Sequence, residues 1–228
     1  MSEARRQSAR LPRAASAVYE RHLAASDHGP VAGVDEAGCG ALAGPVVAAA
    51  VVLPAEVTIP HVTDSKLLRP TEREHIYREI IAEAACWSVF VCPHDAIDRL
   101  NIYQARLLAM RRAIEQLEPT PGYVLIDGHV APELSIRCEA LVGGDAKYRI
   151  IAAASIVAKV TRDQIMERLD PTYPGYGFAR HKGYATAAHM RAIAELGPCA
   201  VHRRTFAPVA DCIQQQLDYD SEQDTHNV

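Results

Sequence analysis

Four acidic residues occupy positions where they could act together as oxygen ligands for a metal ion. Asp35 and Glu36 end one apolar run, Asp127 ends another, and Asp145 lies just ahead of a long helical pattern. An ionised carboxylate that leaves water must be paired or must bind a cation. These residues are therefore candidate metal ligands. Two simpler interpretations stay open: the first three acids as turn residues, and Asp145 as a helix-capping carboxylate.

The stretch from residue 31 to residue 54 predicts two strands joined by a tight connection. Short β-branched runs lie on either side of a Gly/Pro cluster at residues 38–45, which is typical of consecutive strands. Because side chains alternate along a strand, we expect Asp35 to point inward and Glu36 to be reached through the turn. The glycines allow backbone N–H groups to approach a ligand closely.

The same glycines also form a loose dinucleotide-binding fingerprint. They follow the pattern Gly38-x-Gly40-x-x-x-Gly44, and Glu56 could serve as the acid that contacts a ribose. That fingerprint requires a helix to begin at the glycines. Pro45 and a valine-rich run follow instead, which favours a second strand. A nicotinamide-dependent dehydrogenase is therefore a distant alternative.

Length, charge and cysteine usage limit the class of protein. The 228 residues suit one domain with a sizeable core. No apolar run approaches the roughly 20 residues of a membrane span and no secretory leader opens the chain, so we expect a cytoplasmic protein, and a monomer. The six cysteines are scattered without a C-x-x-C pair, which favours free thiols. Net charge is −4, but five acids without Lys or Arg in residues 211–228 leave +1 for residues 1–210, which is compatible with a locally basic face.

The rest of the chain alternates strand and helix patterns. Thr71 and Glu74 fit a capping box at the start of one helix. Asp95 or Asp98 can cap the next, which we expect to continue without a break to Leu117. Further predicted strands cover residues 87–92, 123–126 and 134–142, and further predicted helices cover residues 150–169 and 187–196.

Basic residues beside loops and aromatic residues are candidate contacts for nucleic-acid phosphates. Lys66 lies in a loop before a helix, where a solvated loop residue is the simpler alternative. Toward the C-terminus, basic residues alternate with Tyr and Phe, a pattern suited to phosphate contact and to stacking on a sugar or base. The candidates are Lys66, Lys147, Lys182, Arg203 and Arg204.

Several segments, taken together, resemble ribonuclease HII, the bacterial type 2 ribonuclease H. The resemblance covers about residues 30–209, in order and with sensible spacing. The segments that carry it are G-V-D-E-A-G-C-G-A-L-A-G-P (33–45), D-S-K (64–66), I-D-G (126–128), G-D-A-K-Y (144–148), A-A-A-S-I-V-A-K-V-T-R-D (152–163), G-Y-G-F-A-R-H-K-G-Y-A-T (175–186) and H-R-R-T-F (202–206).

The resemblance implies an α/β, ribonuclease H-like fold, with a five-stranded mixed sheet flanked by helices and a C-terminal helical extension. It also implies that Asp35, Glu36, Asp127 and Asp145 are the catalytic residues and bind Mn²⁺ or Mg²⁺. Two ions roughly 4 Å apart can activate an attacking water and stabilise the leaving oxygen. Four converging acids would repel one another strongly without cations.

The resemblance further implies how the chain would recognise a ribonucleotide. In the family, a Gly-Arg-Gly segment and a downstream tyrosine recognise the 2′-hydroxyl at a junction between ribonucleotide and deoxyribonucleotide. The matching residues are Gly38, Cys39, Gly40 and Tyr184, and this chain has Cys39 where the family has Arg. The 2′-hydroxyl is the group that distinguishes RNA from DNA. Recognition by the backbone survives the change, whereas the Arg side chain on a phosphate is lost.

The function implied is that of an endoribonuclease acting on RNA–DNA hybrids and on ribonucleotides embedded in duplex DNA. It would hydrolyse the phosphodiester on the 5′ side of the ribonucleotide and leave a 3′-hydroxyl and a 5′-phosphate. A non-catalytic hybrid-binding module is a further alternative, suggested by Cys39. We expect an N-terminal arm or short helix over residues 1–29, a catalytic domain over 30–209, and an acidic, flexible tail over 210–228.

Overall fold

The computed structural model describes residues 14–26 and 29–226, and of residues 216 and 219–226 it describes the backbone alone. Parts of the predicted N-terminal arm and acidic tail, residues 1–13, 27–28 and 227–228, lie outside the described residues. The described part of the arm contains one helix, α1 (Val18–Ala25).

One five-stranded mixed sheet forms the centre of the molecule, which confirms the predicted fold class. Its strands are β1 (Val31–Ala37), β2 (Val46–Val52), β3 (Cys86–Cys92), β4 (Tyr123–Asp127) and β5 (Arg137–Leu141). The spatial order is β3-β2-β1-β4-β5. The pairs β1–β2 and β2–β3 are antiparallel, whereas β1–β4 and β4–β5 are parallel. The carboxyl ends of β1, β4 and β5 therefore lie at one edge of the sheet.

Helices flank the sheet and continue into a C-terminal extension. They are α2 (Pro70–Glu83), α3 (His94–Leu100), α4 (Ile102–Glu115), α5 (Gly144–Lys147), α6 (Arg149–Leu169), α7 (Phe178–His181), α8 (Ala187–Leu196) and α9 (Ala207–His226), with a short 3₁₀ turn at Ser65–Leu67. The buried side chains of α2 and α6 pack on one face of the sheet. Those of α3 and α4 pack on the other.

Close packing between α6 and β1 fixes the sheet against its longest buried helix. Residues 150–158 of α6 are buried without exception. A Cβ at Gly33 of β1 would lie 2.2 Å from the carbonyl oxygen of Ile150, so only glycine allows this approach. The contact places the first turn of α6 directly against β1, two residues before Asp35.

The chain bends sharply between α3 and α4, where the sequence predicts one unbroken helix. Asn101 has a φ of +66°, and its side-chain oxygen accepts a hydrogen bond from a first-turn N–H of α4 at 3.1 Å. A positive φ is uncommon outside glycine, although Asn is enriched there, and Asn also caps helices well. Asp98 does not act as a cap; its carboxylate accepts hydrogen bonds from the N–H groups of Arg204 and Thr205 at 2.9 and 3.0 Å. The prediction of one helix is therefore wrong.

The first residues of α2 also differ from the prediction. The capping box joins Arg69 and Glu72, with the Glu72 carboxylate accepting from the Arg69 N–H at 2.9 Å. The predicted pair Thr71 and Glu74 lies two residues too far along the chain, because Pro70 already occupies the first helical position, which suits its fixed φ.

The segment after the glycines is a strand. β2 begins at Val46 and runs antiparallel to β1, so no helix N-terminus meets the glycines as a dinucleotide fold requires. The dehydrogenase alternative is therefore wrong. Among the described residues, no helix combines the length and the apolar character needed to cross a membrane.

The C-terminal extension packs against the glycine loop (residues 38–45) through its own small cores. Phe178 of α7 and Met166 of α6 are buried together with Ala43, and Ile193 and Val209 of α8 and α9 enclose Leu42. The extension continues as α9 to His226, through the segment expected to be a tail. The independent flexibility of that segment stays a prediction.

Candidate active site

Strand pairing brings two of the predicted ligands to the same edge of the sheet. β1 and β4 are parallel neighbours, and their register pairs Val34 with Ile126. The next residue of each strand is an acid, Asp35 and Asp127. The short connection from β1 and the turn after β4 therefore open on the same side, where ligands bind in open α/β sheets.

Asp35 lies deepest of the four acids. It is 4% exposed, and its Oδ1 accepts a hydrogen bond from the Glu36 N–H at 2.7 Å. Burial raises the pKa of this carboxyl well above its usual value, and the charges of Glu36 and Asp127 raise it further, while a hydrogen bond from Ser155 opposes the shift. The predicted inward direction of Asp35 agrees with this placement.

Asp127 and Asp145 are joined through the first turn of α5. The Gly144 N–H donates to Asp127 Oδ1 at 2.7 Å. Burial raises the pKa of Asp127, and the neighbouring Asp145 charge adds to that rise. Asp145 is 5% exposed, and its Oδ2 lies 3.3 Å from the Lys66 ammonium. The Asp-Ser-Lys turn thus supplies a positive charge to the acidic site.

Glu36 is incompletely satisfied. Its Oε1 lies 3.6 Å from Arg106 Nη1 and accepts from the Cys39 thiol at 3.4 Å. Its Oε2 is buried and has no hydrogen-bond partner within the described part of the chain. A buried carboxylate oxygen without a partner is costly, and a cation would satisfy it.

The donor set fits a hard divalent cation, although the side chains do not yet converge on one. No three His, Cys, Asp or Glu side chains among the described residues stand in a metal-holding arrangement. Lys66 is drawn to Asp145, and the Gly144 N–H occupies one oxygen of Asp127. The chemistry of the site, four carboxylates including one with an unpartnered oxygen, is that preferred by Mg²⁺ and Mn²⁺.

The glycine loop passes beside these acids and contacts Tyr184. Gly38 has a φ of +100°, which favours glycine, whereas a Cβ at Gly40 would meet nothing within 4 Å. Ala41 forms an isolated antiparallel bridge with Tyr184. Burial raises the pKa of the Cys39 thiol, so this group is a neutral donor to Glu36. The structure thus brings together the loop and the tyrosine that the resemblance implied.

Cations of α6 lie against the Tyr184 ring. The guanidinium carbon of Arg162 is 5.2 Å from the ring centroid, and Lys159 Nζ is 5.4 Å from it. Both distances are within the range of cation–π attraction. The ring is therefore held between the glycine loop and α6.

The five predicted phosphate contacts divide into three kinds. Lys66, Lys147 and Arg204 are exposed. Lys182 is engaged: its ammonium contacts Glu167 Oε1 at 2.7 Å. Arg203 is fully buried, and all three of its guanidinium nitrogens donate to carbonyl oxygens of the glycine loop. The prediction of a direct phosphate contact by Arg203 is corrected, because this arrangement leaves its guanidinium no exposed face.

Three site residues were missed by the sequence analysis. Arg106 faces Glu36, Ser155 hydrogen-bonds Asp35, and Arg162 holds the glycine loop from α6. Arg162 is one of four cations in α6, with Arg149, Lys159 and Arg168. Its residue type alone therefore did not distinguish it, and its role depends on the carbonyl oxygens that the fold brings to it.

Comparison with known proteins agrees with this geometry. Residues 32–209 match the family model described as Ribonuclease HII. A Ribonuclease HII of Polaromonas sp. is 53% identical over 186 residues, which cover 82% of this chain and 94% of the relative. A Ribonuclease HII of Anaeromyxobacter sp. is 51% identical over 183 residues, and the match spans 80% of this chain and 58% of that longer protein.

A solved structure shares the fold. The ribonuclease H2 of Pyrococcus horikoshii superposes with a TM-score of 0.70 at 28% identity, covering 81% of this chain and 97% of the other. On these grounds the chain belongs to the ribonuclease HII family, and it is a ribonuclease H endonuclease.

Proposed function

We propose that this chain hydrolyses the phosphodiester on the 5′ side of a ribonucleotide, in RNA–DNA hybrids and in duplex DNA that contains single ribonucleotides. The products would carry a 3′-hydroxyl and a 5′-phosphate, and the enzyme would act as a monomer. One observation carries the proposal. Asp35 and Asp127 lie side by side near the carboxyl ends of neighbouring parallel strands, beside a glycine loop that is bridged to Tyr184.

The acids of the site would hold divalent cations. Enzymes of the ribonuclease H family are divalent-metal dependent, and we propose Mg²⁺ or Mn²⁺ as the ion here. When bound, such ions supply Lewis-acid stabilisation of the phosphate and activation of the attacking water. Asp35, Glu36, Asp127 and Asp145 would bind them, and Lys66 would release Asp145 and turn to the substrate. Burial of Asp35 and Asp145 excludes water and fixes the direction of these carboxylates.

The glycine loop and Tyr184 would place the ribonucleotide over the acids. The 2′-hydroxyl both donates and accepts hydrogen bonds. Of the three loop residues, Gly40 is exposed, Cys39 is half-buried and Gly38 is buried, so the backbone of Cys39 and Gly40 would meet it. The Tyr184 ring would pack against the sugar of the following deoxynucleotide. The Cys39 side chain points to Glu36, so it leaves recognition to the backbone.

Exposed cations around the site would contact the nucleic-acid backbone. In the part of the chain that the structure describes, Lys147 and Arg204 form no salt bridge that would keep them from a phosphate. Lys66 pairs with Asp64 and Asp145. Lys182 would have to exchange Glu167 for a phosphate. Each phosphate contact adds about one counterion to the salt dependence of binding.

The experiment that tests this proposal uses a labelled DNA duplex with one ribonucleotide and a matched all-DNA duplex. We expect nicking of the first duplex alone, with Mg²⁺ or Mn²⁺, and none in EDTA. Mapping the product should place the break directly 5′ of the ribonucleotide with an extendable 3′-hydroxyl. Nicking of both duplexes, or nicking that persists in EDTA, would refute the proposal. Binding without nicking would favour the non-catalytic module instead.

A further inference from the structure

Two fully buried arginines lie beneath the glycine loop, and neither is paired with an acid. Arg162 and Arg203 are both 0% exposed. In the described part of the chain no carboxylate lies within ion-pair distance of either guanidinium. Burial lowers the pKa of Arg162, and burial together with the Arg162 charge lowers that of Arg203 to about 10. Burying two guanidinium groups without an acid is costly. The role of the two arginines must therefore lie in the groups to which they are hydrogen-bonded.

The guanidinium nitrogens of both residues are bonded to main-chain carbonyls. Arg203 donates to the oxygens of Gly38 at 2.7 Å, Cys39 at 2.9 Å and Gly44 at 3.0 Å. Arg162 donates to three more carbonyl oxygens, those of Ala43 at 3.2 Å, Pro45 at 2.9 Å and Lys182 at 2.9 Å. A planar fork with several fixed donors is suited to such a set, and an ammonium is not.

These bonds determine which way the loop presents its N–H groups. In a trans peptide the C=O of one residue and the N–H of the next point in opposite directions. Because Arg203 draws the carbonyls of Gly38 and Cys39 inward, the N–H groups of Cys39 and Gly40 point away from it. Neither N–H donates a hydrogen bond within the described residues, and Gly40 is exposed. Two donors are thus left available at the surface beside the acids.

Arg162 also joins this loop to the second recognition element. Its guanidinium lies against the Tyr184 ring and bonds the carbonyl of Lys182, two residues earlier. A Cβ at Gly38 would lie 2.0 Å from Arg162 Nε, so the loop rests directly on this side chain. Any shift of Arg162 would move the loop and the ring together.

We propose that Arg162 and Arg203 are positioning residues for ribonucleotide recognition: a buried guanidinium pair that aims the N–H groups of Cys39 and Gly40 at the 2′-hydroxyl side of the substrate and fixes Tyr184 beside them. The inference rests on the proposed function of the loop. It assigns neither arginine to contact with the substrate. Discrimination between ribonucleotide and deoxyribonucleotide would depend on the fork geometry of the pair and not on its charge alone.

The test compares Arg203→Lys and Arg162→Lys with Arg149→Lys. Arg149 is a matched control because it too is buried and donates to main-chain carbonyls, but at the first residue of α6, where it pairs with Glu20. The affinity of each purified full chain is measured by fluorescence anisotropy in EDTA, for a duplex with one ribonucleotide and for the all-DNA duplex. Thermal unfolding is measured in parallel.

We expect the preference for the ribonucleotide duplex to fall about tenfold in Arg203→Lys and Arg162→Lys, as for the loss of well-placed hydrogen bonds. Affinity for the all-DNA duplex should stay within about twofold, since charge is kept. Arg149→Lys should lose thermal stability and keep the preference. Hydrogen exchange should also accelerate at the bonded loop N–H groups of Leu42 and Gly44 in the first two variants alone. That readout applies even if one of them is only marginally stable.

Two results would overturn the inference, and they are distinguishable. If Arg203→Lys and Arg162→Lys keep the wild-type preference and the slow exchange of the loop, the positioning role is wrong and the proposed function stands. If the wild-type chain itself binds both duplexes equally, recognition by the loop is wrong, and the inference falls with it.

Discussion

The acidic edge of the sheet (Asp35, Glu36, Asp127 and Asp145) and the pair Arg162 and Arg203 beneath the glycine loop both place like charges close together in the interior. The two regions differ in how those charges are satisfied. At the acidic edge, burial and the charges of Glu36 and Asp127 raise the pKa of Asp35, and Glu36 keeps an oxygen without a partner among the described residues. Beneath the loop, Arg162 and Arg203 have every guanidinium nitrogen bonded to a carbonyl. The acidic cluster therefore keeps an unsatisfied oxygen, whereas the arginine pair has all of its guanidinium nitrogens hydrogen-bonded.

The difference separates chemistry from positioning. Carboxylates that must bind a cation carry negative charge that no protein group compensates, and their repulsion lowers the stability of the fold until the cation binds. A group that must hold a loop in one place is fully bonded, because a half-satisfied buried network is mobile as well as costly. Electrostatic completeness thus distinguishes the two regions even where sequence shows only acids in one and arginines in the other.

The largest expected effect comes from neutralising the acidic edge. Asp127→Asn should lower the nicking rate by about a thousandfold or more, since several kcal/mol of transition-state stabilisation depend on the cations. In EDTA the same variant should gain roughly 1 kcal/mol of unfolding free energy, because repulsion is relieved. Single-turnover nicking and urea unfolding measure both, with the exposed Asp211→Asn as the control. A variant that loses activity and also stability would show that Asp127 is mainly structural.

Acid pH should weaken the contact of His202 with the glycine loop. The backbone of His202 forms an isolated β-bridge with Ala43 of that loop. His202 is buried against His189, with 3.0 Å between their Nε2 atoms, and its Nδ1 accepts from the Cys199 N–H at 2.9 Å. Burial, with the His189 charge, lowers the pKa of His202 from 6.5 to about 4. Below pH 6.5 the His202 side chain therefore binds a proton in the unfolded chain, whereas in the folded chain it stays neutral down to about pH 4.

Because of this proton uptake, the free energy of unfolding falls by about 3 kcal/mol as the pH falls from the unfolded to the folded pKa of His202. Above the unfolded pKa there is no such loss. Urea unfolding of wild type and His202→Gln across that interval measures it. The variant should be less stable at neutral pH and should show a shallower decline toward acid. Parallel declines in the two proteins would assign the acid sensitivity to carboxylates elsewhere.

Glycine substitutions test how closely the loop rests on the arginines. Gly38→Ala should cost about 2 kcal/mol of unfolding free energy, because its φ is +100° and a Cβ would meet Arg162. Gly40→Ala, two residues away with open space around it, should change stability by less than about 0.5 kcal/mol. Thermal or urea unfolding decides between them. Equal costs at both positions would contradict close packing at Gly38.

The smallest expected effect concerns Cys39. Cys39→Arg should strengthen binding of duplexes with a ribonucleotide junction by a few fold and steepen the salt dependence by about one counterion, with little change in metal dependence. Cys39→Ser, which removes the thiol without adding charge, is the control. Equal affinities of wild type and Cys39→Arg at low salt would count against a lost phosphate contact.

Sequence patterns predicted the acidic edge better than the loop support, for a physical reason. Local patterns placed Asp35 and Asp127 at the ends of short apolar runs, and an acid at the end of such a strand lies where ligands bind in open α/β sheets. That the two strands are neighbours, and that the acids therefore meet, was implied only by the resemblance to the family. The metal-ligand roles themselves stay predictions.

The support of the loop depends on burial, which sequence reports poorly. Arg203 and Arg204 are neighbours of the same type, yet one is fully buried and the other exposed. Only the position of the carbonyls of residues 38–45 separates them, and that is a tertiary property. The break at Asn101 was missed for a similar reason, because an Asn with a positive φ leaves no Gly or Pro signal in the sequence.

The account is tested most directly by the effect of divalent cations on thermal unfolding of wild type and Asp127→Asn. The wild-type chain should unfold at a higher, saturating temperature as Mg²⁺ or Mn²⁺ is added, because ligands that bind the folded state stabilise it. Asp127→Asn should be the more stable of the two in EDTA and should gain little from either ion. An equal gain in both proteins, or no gain in the wild type, would contradict an acidic edge that is completed by cations.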